Sequence, residues 1–195
     1  VLISHKAEPG SVPTSWDDTD PTVDATSFEL TDIQGGELFD GLGLGSNFIF
    51  YKKNSTHIMR FVGGADLWGL DRLFENSGIL TTRCVCSFKE GTMHFVVTQN
   101  DIIVHAGTPN SSQSIVEGVN RDAIFSELDS TNYLNSFCFT NKKKTEVWFV
   151  YPTSGNTIPN KAFFYNWVSK TTGFRDISAL GIDLGSAGAF LLNNG

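Results

Sequence analysis

Apolar and polar positions alternate in short runs separated by polar turns. In NFIFYKKNSTHIMRFVGG, Phe48 and Phe50 precede the turn KKNST, and Ile58 and Phe61 follow it. In TMHFVVTQNDIIVHAG, Phe95 and Val97 lead into TQND, and Ile103 follows. The third segment, TEVWFVYPTSGNTIPNKAFFYNWVSKTTGF, places a longer turn between Val147–Tyr151 and Ala162–Trp167. Each reads as strand, polar turn, strand. The copies lie 46 residues apart from Phe48 to His94 and 53 apart from Phe95 to Trp148. Hairpins recurring at that interval predict an all-β chain, a β-propeller or a set of its blades.

Two segments break the alternation. NRDAIFSELDS, residues 120–130, has Ile124, Phe125 and Leu128 at helical spacing behind Asn120 as the candidate N-cap. DLWGLDRLFENSG, residues 66–78, places Leu67, Leu70 and Leu73-Phe74 on one helical face, with Gly78 as a stop. Both predict short helices between blades. The run Gly41-Leu-Gly-Leu-Gly45 resembles a phosphate-cradling loop, but such a loop needs a following helix whose N-terminal amides meet the phosphate. Here NFIFYKK follows, a strand-like run, so the glycines are expected to form a turn into a strand and to bind no nucleotide.

Composition sharpens this picture. The chain has 195 residues, 40% hydrophobic and 18% charged, with 16 Phe and 19 Gly. That size suits a single propeller-like domain over residues 1–195, and aromatic residues with glycine turns suit pleated sheets. The net charge of −7 disfavours tight general binding to nucleic acid. The basic run Lys142-Lys143-Lys144 reads as a solvated hairpin tip. No apolar run approaches the ~20 residues of a membrane span. The chain opens with Val1-Leu2-Ile3, already strand-like, and ends just after Phe190-Leu191-Leu192. Both ends read as cut from a longer polypeptide, and both apolar triplets are expected to pack against strands supplied elsewhere.

Candidate chemistry is sparse. Asp18, Asp20 and Glu29 occupy positions one, three and twelve of a calcium-loop pattern. Val23 stands where the sharp turn requires glycine, so an Asp-rich turn is the preferred reading. Cys84 and Cys86 share a strand face at roughly 7 Å, beyond normal disulfide reach. With Cys138 they read as reduced thiols, and a zinc site that adds His94 lacks a fourth ligand. His5, His57, His94 and His105 lack ligand-like spacing, and His57 and His94 are expected to be half-exposed beside turns. LGSAG at 184–188 places Ser186 directly after Gly185 and fails the nucleophile-elbow pattern. Glu29, Asp32 and Glu37 offer carboxylates without a defined separation. No catalytic, cofactor or metal residue is assigned. Trp16, Trp68, Trp148 and Trp167 either fill gaps between blades or face a glycan.

Between residues 85 and 176, VCSFKEGTMHFVVTQNDIIVHAG, SIVEGVNRDAIFSEL, EVWFVYP and KAFFYNWVSKTTGF follow one another. This order resembles the propeller domain of tailed-phage tail nozzle or tail-tube B proteins and of head-to-tail stabilisation proteins. Upstream, VLISHKAEPGSVPTSWD and LFDGLGLGSNFIFYKKNSTHIMRF resemble the same family. The resemblance implies a structural, non-enzymatic virion protein assembled in the host cytoplasm. It implies a homo-oligomeric ring, usually of six copies, that meets other tail or connector proteins. Such a ring forms a DNA channel that retains and releases the genome without sequence-specific binding. Family members are longer, so the resemblance also implies a fragment. The alternative is a carbohydrate-binding propeller module.

Overall fold

The computed structural model describes residues 1–30, 35–64 and 67–178. Those residues are all-β apart from the helix α1 (Gly118–Glu127) and one 3-10 turn at Tyr133–Asn135. A short antiparallel ladder joins β1 (Leu2–Ile3) to β2 (Thr26–Ser27). Three four-stranded antiparallel sheets follow, each an up-and-down meander in sequence order. The first contains β3 (Leu38–Leu44), β4 (Asn47–Lys52), β5 (Thr56–Phe61) and β6 (Trp68–Phe74). The second contains β7 (Val85–Phe88), β8 (Met93–Val97), β9 (Ile102–His105) and β10 (Gln113–Ser114). The third contains β11 (Phe137–Asn141), β12 (Glu146–Tyr151), β13 (Lys161–Asn166) and β14 (Thr171–Asp176). The three hairpins expected from the sequence are β4–β5, β8–β9 and β12–β13.

The first strands of the sheets lie side by side, β3 against β7 and β7 against β11. Polar contacts stitch them: the Arg83 amide donates to Asp40 Oδ2 at 2.8 Å, and the Cys138 amide donates to the Arg83 carbonyl at 2.7 Å. The Thr140 hydroxyl donates to the Ser87 carbonyl at 2.6 Å. The described residues thus form three blade-like units in series and no closed ring.

Burial follows from that stacking. In the middle sheet, Phe95, Val96, Val97 and Ile102 are fully buried, so strands β8 and β9 are covered on both faces. Ile49 and Ile58 of the first sheet and Phe149 and Phe163 of the third join the same core. Each such side chain removed from water contributes ~1.5–3 kcal/mol. The third sheet has a second cluster on its other face, Phe137, Val150 and Ala162 with Ile177. Between sheets, the Ile79 amide donates to the Lys52 carbonyl at 3.0 Å and the Leu80 amide to the Val97 carbonyl at 2.8 Å. This crossing requires Gly78, where a Cβ would sit 2.2 Å from the Lys52 carbonyl oxygen.

Four expectations are corrected. Within the segment read as a helix at 66–78, Trp68–Phe74 is strand β6. Opposite it the register shifts between Thr56 and His57, which pair with Phe74 and Arg72. Leu73 is therefore a bulged extra residue, and Leu73 and Phe74 are both buried. The bulge breaks the two-residue period and imitates helical spacing. Second, α1 is present, but its N-cap is Glu117, and Asn120 lies inside the helix. Third, Gly41 and Gly43 belong to strand β3, and only Gly45 occupies the turn, with φ +59°. Gly41 lies under the Phe48 ring, where a Cβ would approach Cε1 to 2.6 Å. Fourth, Leu2 and Ile3 pair with Ser27 and Thr26 of the same chain. Phe190–Leu192 lies outside the described residues, as do Asp32 and Ser186.

Candidate functional site

The most organised polar cluster lies inside the joint between the first two sheets. His94 on β8 and His105 on β9 are register partners on one face of the second sheet. Tyr51 on β4 projects between them from the first sheet. Its hydroxyl lies 2.8 Å from His94 Nδ1 and 2.7 Å from His105 Nε2. His94 Nε2 lies 2.9 Å from the Gly43 carbonyl, and the Gly107 amide donates to His105 Nδ1 at 3.2 Å. All three side chains are fully buried or nearly so.

Those end partners fix every proton. A carbonyl only accepts, so His94 carries its proton on Nε2, and a backbone amide only donates, so His105 Nδ1 is a lone pair. With both rings neutral, the chain runs from Gly107 N–H to His105, from His105 Nε2–H to the Tyr51 oxygen, from Tyr51 O–H to His94 Nδ1, and from His94 Nε2–H to Gly43. The electrostatics agree. Burial pushes His105 down to about 3, with the neighbouring His94 adding to the shift. Burial also lowers His94, against the opposing bond to Gly43. Tyr51 is raised well above its ordinary value by burial, then by the neighbouring Asp40 carboxylate.

Half-exposed histidines were expected at His57 and His94. Both are buried, His57 at 6% exposure beside the Ser55 hydroxyl and His94 at 0%. The strand pattern placed His94 and His105 correctly, but nothing in it indicated a tyrosine 43 residues upstream as their partner.

The other candidates separate. Asp20 Oδ1 accepts from the Thr22 amide and hydroxyl, and Asp17 Oδ1 accepts likewise from Thr19. These bonds hold both carboxyls below their usual range. Asp18 and Glu29 are exposed, as is Glu37. Among the described residues no group of three or more His, Cys, Asp or Glu side chains is placed to share a metal ion. Cys86 pairs with Phe95 in register whereas His94 pairs with Ser87, so the thiol and the imidazole occupy opposite faces of the sheet. A zinc site from those residues is incompatible with that arrangement. Cys86 instead faces the third sheet, where Cys138 meets Cys84 and Cys86, and burial pushes Cys86 up to about 12 and Cys138 well up. All three cysteines are free thiols. Lys142–Lys144 occupies the exposed β11–β12 turn, as expected.

The tryptophans occupy different surroundings. Trp167 packs on Phe88 across the joint of the second and third sheets, ring centroids 5.5 Å apart. Trp148 stacks with Phe139 on the third sheet's outer face, and the Arg175 guanidinium lies 5.2 Å above its ring. Trp68 lines a hollow of about 410 Å³ with Asp24, Thr26 and Phe28. A second hollow of about 280 Å³ lies between the turns of the first two sheets, lined by Lys53, Asn54, Asn76, Thr98, Gln99 and Asn100. Its lining is amide-rich, with one cation and no carboxylate.

No family model and no curated protein matches the chain. Among solved structures it is similar to a calcium-bound Trichoderma reesei enzyme of carbohydrate-active family AA12, at 11% identity and a TM-score of 0.42. That similarity covers 76% of this chain and 37% of the fungal one, so the chain spans little more than a third of its length. A likeness of that degree carries no argument about chemistry.

Proposed function

We propose that the chain is a structural, non-enzymatic module of a tailed-phage tail, a nozzle or head-to-tail connector. In this reading it acts in the virion as part of a homo-oligomeric ring, of six copies, around the DNA path. The observation that carries the proposal is the serial packing of three meander sheets with β3, β7 and β11 side by side. It agrees with the order of motifs that resembles the tail family. The net charge of −7 also suits a DNA conduit, since a wall that repels phosphate lets the duplex slide instead of adhering. Electron microscopy of the purified, assembled protein tests this. A six-fold ring with an open channel is the expected result, and a population of monomers across the micromolar range would refute it.

The second reading is a carbohydrate-binding propeller module. Two hollows favour it: one presents Trp68 beside Asp24, and the other is lined by neutral amides. Aromatic faces and amide side chains match the alternating apolar faces and hydroxyls of a sugar. A glycan array separates the readings, because saturable binding that is lost in Trp68→Ala would favour this one.

A further inference from the structure

We propose that Tyr51, His94 and His105 form an acid-sensitive latch that clamps the first sheet to the second and releases it when either imidazole takes a second proton. The inference stands on the side-chain network alone and goes beyond the tail assignment, whose failure would leave it intact.

The clamp acts across the joint. Tyr51 belongs to the first sheet, and both imidazoles belong to the second. His94 Nε2–H reaches back to the Gly43 carbonyl of β3. Alongside, the Gly45 amide donates to the Gly91 carbonyl at 3.0 Å. At Gly107, beside the His105 bond, a Cβ would come within 2.6 Å of the Leu44 side chain, so the two sheets touch there directly. The network is the polar centre of this interface, and the Phe74 ring from β6 packs edge-on against His105 at 5.1 Å.

A second proton finds no acceptor. On His94 Nδ1 it would turn both imidazoles into donors to the one Tyr51 oxygen and leave the tyrosine's own proton without a partner. On His105 Nδ1 it would point at the Gly107 N–H. Either event leaves a buried donor unsatisfied beside a buried cation, which is the costly case. The charged or titratable groups that act on the network from neighbouring strands are Asp40 on β3 and Cys86 on β7. Both Asp40 oxygens are already engaged, Oδ1 by the Gly41 amide and Oδ2 by the Arg83 amide. Cys86 is held neutral.

The sign follows from which state binds protons. The closed joint keeps both rings neutral below the ~6.5 of a free histidine, whereas the open joint lets them protonate. The latch is therefore fully engaged above that value and loosens as pH falls, down to about 3 for His105. Opening becomes favoured about tenfold per pH unit for each imidazole within its window. Asp17, Asp20, Asp129 and Asp176 are all held below their ordinary range, so their contribution is lost only at lower pH.

Two measurements on the 195-residue chain decide the matter. Ring nitrogen shifts from ¹⁵N-histidine spectra should show His94 and His105 as neutral Nε2–H tautomers at pH 7. A charged ring or an Nδ1–H tautomer at either site overturns the latch. Amide exchange, corrected for its intrinsic pH dependence, should then show protection at Gly45 falling by about tenfold or more per pH unit between pH 6 and 5. Cys138, bonded across the other joint, should keep its protection. Equal loss at Gly45 and Cys138 would mean global acid unfolding and overturn the proposal. His105→Gln should flatten the Gly45 slope, and an unchanged slope in that variant refutes the assignment to His105. The wild-type tautomers keep the test decisive if the variant does not fold.

Discussion

Two buried tyrosines occupy opposite circumstances. The Tyr51 hydroxyl has a nitrogen partner on each side, whereas the Tyr151 hydroxyl, buried over the stacked Phe149 ring, has no hydrogen-bond partner among the described residues. Replacing a hydroxyl is costly only when it leaves other groups unpaired. Tyr51→Phe strips partners from His94 Nδ1 and His105 Nε2–H, so a loss of about 1–3 kcal/mol is expected. Tyr151→Phe removes an orphan, and stability should hold or rise by up to about 1 kcal/mol. Urea unfolding of the two variants checks the contrast, and equal losses would contradict it. The two residues are indistinguishable in sequence, since each ends an apolar run before a turn. What separates them is the sheet each one faces, and that depends on packing between segments far apart in the chain.

At the scale of elements, legibility depended on whether a strand kept its period. β4, β5, β8, β9, β12 and β13 alternate or run apolar between polar turns, and all appear where the pattern placed them. β3 was hidden because Gly41 and Gly43 read as loop residues until the Phe48 ring is seen to need the space. β6 was hidden by its bulge. Leu73 is the inserted residue and is 5% exposed, so Leu73→Ala should cost about 2–5 kcal/mol, as for other buried truncations. Thermal or urea unfolding reads that loss, and a near-neutral result would mean that the bulge collapses to heal the cavity. The joint between the second and third sheets carries its own expectation. Cys84 is buried there and Cys86 and Cys138 are half-buried, with the Cys86 and Cys138 thiols raised above their ordinary range. Since the thiolate is the reactive form, an aromatic disulfide reagent at pH 8 should label none of them until denaturant is added. Fast labelling of even one thiol in the native chain would show that this joint opens readily.

For the whole molecule, the Asp-rich segment marks the boundary of what a motif can say. Asp18, Asp20 and Glu29 match calcium-loop positions, yet Asp20 spends its oxygen on Thr22 and its neighbours stand exposed. Chelation with EDTA should leave the melting temperature unchanged, and a drop of several degrees would reveal a structural ion. The candidate site was less legible than the fold for a related reason: hairpins are local, whereas the Tyr51 network joins positions 43 and 54 residues apart. The meander topology also bears on how quickly the chain is built. Every ladder within the three large sheets joins strands adjacent in sequence, so each closes only a short loop. Pairing of that kind is kinetically cheap for a β protein, because rates fall with the sequence distance between contacts. A ribosome releasing the chain at ~5–20 residues per second would expose all four strands of the first sheet before the second is complete. The slow step then falls on docking one sheet against the next, where the latch and the thiol joint form.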